Sequence, residues 1–154
     1  MALPKSHNYD SKHIFDIMVI GSGIAGMAAS LFAVNRKLST VQAGSAGGTL
    51  FTSGLFDLLS VYPVEEKKLW SRPWDAMAAL RASGSHHPYT RVSDENIQRS
   101  FDEIVSFLNA KGMKFHYDKN LNQKMITSMG TLKYSYCVPE SMWAGVEAYE
   151  KKAP

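Results

Sequence analysis

The 154-residue sequence predicts an α/β fold, and three consecutive segments near its start indicate it. Residues 14–20 form a mostly apolar run that is rich in β-branched residues and ends at a glycine, a pattern typical of a buried parallel strand. Residues 27–34 are small and apolar without a helix breaker, which predicts a buried helix. Residues 38–42 then predict a second strand, and the strand–helix–strand order is typical of α/β proteins.

Composition narrows the class of protein. Hydrophobic residues make up 45% of the chain and charged residues 20%, as in a soluble globular domain. The net charge of +3 comes from scattered lysines and arginines and is too small to indicate nucleic-acid binding. One cysteine, Cys137, can neither close an internal disulfide nor hold an iron–sulfur cluster, which takes about four ligands. We therefore expect a reducing, cytoplasmic setting and any such cluster on another chain.

Residues 17–34 contain no charged residue, and their number is near the lower limit for a membrane span. A basic, polar N-terminus precedes them, which also resembles a secretory signal. However, Asp16 stands directly before this run, and three glycines interrupt its middle. We therefore expect the chain to have no membrane span of its own.

The domain boundaries follow from polarity. Residues 1–12 are polar and lack periodicity, which predicts a flexible leader. Residues 13–154 are expected to form the folded part. Within it, Pro73 predicts the start of a helix that runs to about Ala82.

The second half of the chain predicts an added helix followed by a β-hairpin region. Ser93 has the character of an N-cap for a long amphipathic helix, and Gly112 marks its end. Residues 113–117 predict a strand, and residues 124–127 and 131–138 predict a hairpin that turns at 128–130. The polar end, residues 147–154, is expected to add no closing element.

A GxGxxG motif lies between the first strand and its helix, where dinucleotide-binding proteins carry it. Gly21 would permit the tight turn, Gly23 would let a diphosphate approach the backbone, and Gly26 would let the helix pack close to the strand. Free N–H groups at the helix start favour a phosphate. The motif predicts a Rossmann-like FAD/NAD(P)-binding fold whose cofactor-binding residues include Gly21, Ser22, Gly23, Ile24, Ala25 and Gly26. The alternative is a glycine-rich turn that binds nothing. Three glycines at this spacing lower helix propensity, so folding alone gives little reason for them.

The end of the second strand departs from the usual fingerprint. An acidic residue normally stands there, about 20 residues after the motif, and binds a ribose hydroxyl. Here the positions hold Gln42, Ala43 and Gly44. Gln42 could bind a ribose more weakly, so NAD is disfavoured. Two interpretations stay open: the site holds a flavin through other contacts, or it binds its cofactor with reduced affinity.

A glycine- and serine-rich loop follows the second strand at residues 44–49. Ser45 and Thr49 offer hydroxyl groups, and Gly47 and Gly48 offer backbone N–H groups that can hold anionic oxygens or the edge of a flavin ring. The alternative is an ordinary flexible turn.

Four segments together resemble the family of B subunits of anaerobic glycerol-3-phosphate dehydrogenases. They are residues 16–26, the Thr-Ser-Gly-Leu-Phe-Asp-Leu-Leu-Ser string at 52–60, His-Pro-Tyr at 87–89 and Gly-Thr-Leu at 130–132, in the same order. The resemblance implies a flavoprotein with FAD or FMN that oxidises glycerol 3-phosphate to dihydroxyacetone phosphate. It also implies that electrons pass to the quinone pool in anaerobic respiration.

The same resemblance implies a multi-subunit enzyme. The expected partners are a catalytic flavoprotein subunit and a membrane-associated iron–sulfur subunit, which would place this chain in the cytoplasm at the inner face of the cell membrane. Members of the family are much longer than 154 residues, so the chain is expected to be an N-terminal portion with an incomplete cofactor-binding fold.

No residue is assigned a catalytic role. His86 and His87 are candidate bases for a substrate hydroxyl, and Arg91 is a candidate phosphate ligand. The alternative is that His-His-Pro-Tyr forms a solvated loop. Two other functions stay open: a non-catalytic electron-transfer or scaffold subunit, and a flavoenzyme of the fumarate reductase type.

Overall fold

The computed structural model describes residues 14–45, 51–127 and 129–151. The leader expected at residues 1–12 lies outside these ranges. The chain forms two compact units, of which the first ends at Phe51 and the second begins at Thr52.

The first unit contains the expected strand–helix–strand order. Strand β1 (Ile17–Ile20) is followed by helix α1 (Ile24–Asn35) and strand β2 (Thr40–Ala43). The two strands pair in parallel, from Ile17 opposite Thr40 to Ile20 opposite Ala43. This confirms the strand–helix–strand order and the parallel pairing.

Local interactions explain where helix α1 ends and how the starts of β1 and β2 are held together. The guanidinium of Arg36 donates a hydrogen bond to the carbonyl oxygen of Phe32 at 2.7 Å. A cation therefore provides a donor for a carbonyl group in the last turn of α1, where the helix dipole is negative. Lys37 then has φ 60°, a left-handed conformation that ends the helix. Asp16 accepts a hydrogen bond from the backbone N of Ser39 at 2.8 Å, which ties the starts of β1 and β2 together.

The expectation that β1 and α1 are buried was wrong. Met18 is 62% exposed and Ile20 is 84% exposed, and they alternate with the half-buried Ile17 and Val19. In α1, Ala33 is the one buried residue. The reason is that α1 packs on one side of a sheet of two strands, so no other described element of the first unit covers the opposite face of β1.

In its described residues, the second unit combines three α-helices with two antiparallel strand pairs. Its helices are α2 (Pro73–Ala82), α3 (Asp94–Ala110) and α4 (Ala144–Glu150). Strand β3 (Phe115–Tyr117) pairs with β6 (Cys137–Pro139), and β4 (Gln123–Ile126) pairs with β5 (Leu132–Ser135). The predicted helices at 73–82 and after Ser93 and the predicted hairpin are confirmed.

Two buried clusters form the core of the described part of the second unit. The larger consists of Leu58, Val105, Tyr136 and Cys137, against which aromatic side chains of α3 and β3 pack. The smaller consists of Met125, Val138 and Val146. Ser93 caps α3 as expected, since its hydroxyl accepts from the backbone N of Asn96 at 3.3 Å.

Two features of this unit differ from the expectation. The single strand expected at 131–138 is divided, because the backbone N–H groups of Tyr136 and Cys137 both donate to the carbonyl oxygen of Phe56, at 3.0 and 2.9 Å. The end of the chain was expected to add no element, yet it forms α4 with Val146 buried against Met125 and Val138. Within the described ranges, no helix is both long and apolar enough to cross a bilayer.

Candidate functional site

The turn between β1 and α1 is built around Gly21. Its φ of 116° is a conformation that L-residues rarely adopt, which explains the requirement for glycine. Its N–H donates to the carbonyl oxygen of Ala43 at 2.7 Å, so the turn begins from the paired end of both strands. The expected tight turn is therefore present.

Gly26 packs against this turn as the motif requires. A Cβ atom added to Gly26 would lie 2.2 Å from the carbonyl oxygen of Gly21, a distance that backbone atoms cannot accept. Only glycine therefore lets α1 approach the end of β1 this closely. Ile24 and Ala25, at the exposed start of α1, complete the motif.

Gly23 faces open space instead. No atom lies within 4 Å of a Cβ added there. Gly23 is the N-cap of α1 and provides no side-chain hydrogen bond to the first turn, and the first helical bond runs from Met27 N to Gly23 O at 3.0 Å. The start of the helix thus presents bare backbone with the positive end of the helix dipole, the arrangement that favours an anionic group.

Gln42 has a role that the sequence did not predict. Its Nε2 donates to the carbonyl oxygen of Gly21 at 2.9 Å. This side chain therefore supports the glycine turn. The expected contact of Gln42 with a ribose stays a prediction, for which the carbonyl oxygen Oε1 is the acceptor group.

Gly44 is a third structural glycine, and sequence reasoning missed its role. Its φ is 148°, and an added Cβ would lie 2.9 Å from the backbone N of Ser22 and 3.0 Å from Cα of Gly21. The chain leaving β2 therefore passes directly beside the glycine turn. The signal in the sequence was a glycine immediately after the second strand, at the position where an acid was sought.

The loop after β2 is described only in part. Ser45 is exposed next to Gly44, and Ser22 is half-buried in the glycine turn. Gly47, Gly48 and Thr49 lie outside the described residues. Their cofactor contacts, like that of Ser45, stay predictions.

The candidate catalytic residues lie in a structured loop. The Nδ1 atom of His87 accepts from the backbone N of Tyr89 at 3.2 Å and caps a short 3₁₀ helix, Pro88–Arg91. His86 and Arg91 are exposed nearby. This geometry is that of a capped surface loop, and the assignment of a base stays open. The described residues hold no group of three or more His, Cys, Asp or Glu side chains suited to a metal.

A family model described as FAD binding domain matches residues 16–152. The chain belongs to the FAD-binding domain family. The cofactor of this family is FAD, and the glycine turn fits it. A diphosphate needs bare backbone such as that at Gly23, and the close backbone packing at Gly26 and Gly44 holds the turn in shape.

Curated relatives extend this assignment. The chain is 34% identical, over 79% of its length, to a protein of Vibrio vulnificus (strain YJ016) named as the B subunit of anaerobic glycerol-3-phosphate dehydrogenase. Proteins of the same name from Aliivibrio fischeri (strain ATCC 700601 / ES114) and Pectobacterium atrosepticum are 28% and 25% identical, over 79% and 81% of the chain. The chain spans 27–30% of the length of these three relatives. No solved structure matches it.

These similarities confirm the resemblance inferred from the sequence and the expectation of a flavoprotein of the oxidoreductase class. The relatives carry the name of one subunit of a larger enzyme, so those proteins work with partner subunits. The FAD-binding domain family and the mixed helices and strands agree with an α/β FAD-binding fold.

Proposed function

We propose that this chain is the FAD-carrying part of an oxidoreductase subunit that oxidises glycerol 3-phosphate to dihydroxyacetone phosphate. The observation that carries the proposal is the open backbone at Gly23 at the start of α1, in a chain of the FAD-binding domain family. The substrate is inferred from the names of the relatives.

The residues of this chain would act on the cofactor by binding and orienting it. The backbone N–H groups of the glycine turn, from Gly21 to Gly26, would hold the diphosphate, and Oε1 of Gln42 would accept a ribose hydroxyl. Ser45, Gly47, Gly48 and Thr49 would contact the same ligand. Bound FAD supplies a two-electron acceptor for the hydride removed from the carbon that bears the substrate hydroxyl. The hydroxyl proton needs a base, for which His86 and His87 are the candidates.

The electrons would leave through partner subunits to the quinone pool. Cys137 is the chain's one cysteine and is fully buried, so this chain cannot ligate an iron–sulfur cluster. A catalytic flavoprotein subunit and a membrane-associated iron–sulfur subunit would complete the enzyme, at the inner face of the cell membrane.

A second candidate function is a scaffold or electron-transfer subunit without catalysis of its own. Two observations favour it: no carboxylate stands at the end of β2, and Nε2 of Gln42 is occupied by Gly21. A ribose hydroxyl would then bind a neutral amide oxygen in place of a carboxylate, and Nε2 would make no bond to the ligand. A third candidate, a flavoenzyme of the fumarate reductase type, shares the FAD-binding domain.

Spectroscopy distinguishes these functions. The full chain, alone and in complex with its partner subunits, would be titrated with FAD and with FMN while the absorbance of bound flavin is followed. Saturable binding of FAD, followed by anaerobic bleaching with glycerol 3-phosphate and not with succinate, would support the proposal. Bleaching by succinate would indicate the fumarate reductase type, and absence of bound flavin in the complex would favour the scaffold.

A further inference from the structure

A cavity of about 310 Å³ lies in the second unit beside the β4–β5 hairpin. The hairpin contributes Lys124 and Leu132 to its wall, and the segments before α2 contribute Ser60, Val61 and Leu69. Ligand pockets have volumes of roughly 300–1,000 Å³, so the cavity has the size for a small organic molecule. All of its lining residues belong to the second unit.

One wall of the cavity is apolar and uncovered. Leu132 and Leu69 line it, and each is 59% exposed. The register of the hairpin pairs Lys124 with Tyr134, so these two side chains lie on the same face as Leu132. Exposed apolar side chains around a few polar groups are typical of binding sites.

The charges of the lining residues are not balanced. The ammonium of Lys133 lies 2.8 Å from Oδ2 of Asp57, so these two charges neutralise each other. The ammonium of Lys124 donates to the hydroxyl of Tyr149 at 2.6 Å and lies 4.3 Å from the centroid of the Tyr149 ring and 5.7 Å from that of Tyr134. Among the described residues, no carboxylate lies within ion-pair distance of it. Tyr149 and Tyr134 therefore hold the Lys124 side chain without neutralising its charge.

We infer that this cavity binds a small monocarboxylate with an apolar body. The carboxylate would pair with Lys124, which supplies the net positive charge of the described lining residues, and the hydroxyl of Ser60 is a further donor. The apolar body would cover Leu69 and Leu132. A doubly charged phosphate ester fits less well, because its second charge would have no partner.

Calorimetric titration of the full chain tests the inference, with benzoate as the probe and benzyl alcohol as its neutral counterpart. Benzoate should bind saturably, and benzyl alcohol should bind roughly tenfold more weakly or worse because it cannot pair with Lys124. Lys124→Met should raise the dissociation constant of benzoate by roughly tenfold or more. The matched control is Lys151→Met, which removes the same charge from a side chain that is 73% exposed and pairs with Glu147 outside the cavity. It should leave benzoate binding unchanged.

A second variant keeps the test decisive if Lys124→Met does not fold. Leu132→Glu places a carboxylate on the exposed wall without removing a buried side chain, and it should weaken the binding of benzoate to a similar degree. Three results would overturn the inference: no saturable binding of benzoate, equal effects of Lys124→Met and Lys151→Met, or tighter binding of glycerol 3-phosphate than of benzoate. Because flavin binding is read separately by absorbance, failure of the proposed function would not affect this result.

Discussion

Gln42 donates a hydrogen bond from Nε2 to the carbonyl oxygen of Gly21 at 2.9 Å, and thereby joins the end of β2 to the glycine turn after β1. Dinucleotide-binding proteins usually have a carboxylate near this position. A carboxylate is an acceptor and cannot make this bond to a carbonyl oxygen. The amide of Gln42 therefore stabilises the turn at the position where the usual acid would bind the ribose.

Gln42→Leu should destabilise the chain by about 1 kcal/mol, because it removes one hydrogen bond to a backbone carbonyl. Chemical denaturation measures the change. Gln42→Glu should cost at least as much at neutral pH, because its carboxylate also repels the carbonyl oxygen, and part of the loss should be recovered when the pH is lowered enough to protonate it. Unchanged stability in Gln42→Leu would contradict a supporting role for this bond.

Gly23→Ala should keep the fold and weaken FAD binding. A Cβ at this position meets no atom within 4 Å, and the φ of −73° and ψ of 175° suit alanine. The new methyl group would occupy the space through which the diphosphate approaches, and we expect the dissociation constant of FAD to rise by roughly tenfold or more. Flavin titration measures this rise, and the melting temperature checks the fold. Unchanged FAD affinity would argue against phosphate binding at this turn.

Gly26→Ala should instead destabilise the first unit itself. Its Cβ would lie 2.2 Å from the carbonyl oxygen of Gly21, so the backbone of α1 or of the turn must move. The expected cost is about 2 kcal/mol or more, as for other overpacked positions. Denaturation followed by circular dichroism measures it, with Gly23→Ala as the matched control. Equal stability of the two variants would show that the helix does not pack this closely.

The stability of the second unit should depend on acid through Asp102. Burial raises the pKa of this carboxyl, but hydrogen bonds from the Tyr117 hydroxyl and the Lys119 ammonium outweigh burial, so the pKa lies below its ordinary value. A lowered pKa in the folded state contributes stability that is present above the ordinary pKa of about 3.9 and is lost as the pH falls through the folded value. The melting temperature should therefore fall between about pH 5 and pH 2.

Tyr117→Phe should reduce the part of this fall that comes from Asp102, because it removes one of the hydrogen bonds that favour the carboxylate. The matched control is Tyr62→Phe, which removes a hydroxyl that donates to the hydroxyl of Ser83 rather than to a carboxylate. It should leave the shape of the pH profile unchanged. Identical profiles for both variants would exclude the proposed contribution of Tyr117.

Cys137 should be unreactive in the folded chain. Burial, together with the negative charge of Asp102, raises the pKa of its thiol to about 12, and the residue has no exposed surface. Near pH 8 the thiolate fraction should be on the order of a thousandfold lower than for a free cysteine. Reaction with an aromatic disulfide reagent, in the presence and absence of denaturant, measures this difference. Fast modification of the native chain would contradict the burial of Cys137.

The sequence alone predicted the elements whose signals are local. Strand β1, helix α1 and strand β2 follow from apolar runs and from glycine spacing, and helix α3 follows from its apolar face and from its cap at Ser93. The motif also predicted why Gly21 and Gly26 must be glycine, because tight turns and close helix packing have the same local requirements in any chain. The family followed from these and the later landmark strings.

Features that join distant parts of the chain needed the tertiary structure. Helix α4 has only seven residues, and its burial of Val146 against β4 and β6 is absent from any local pattern. The bonds to Phe56 that divide β5 from β6, the bond from Gln42 to Gly21 and the ion pair between Asp57 and Lys133 all depend on which segments meet. Local sequence sets the periodicity of an element, whereas polar pairing and the partner of each apolar face are decided only when the elements pack.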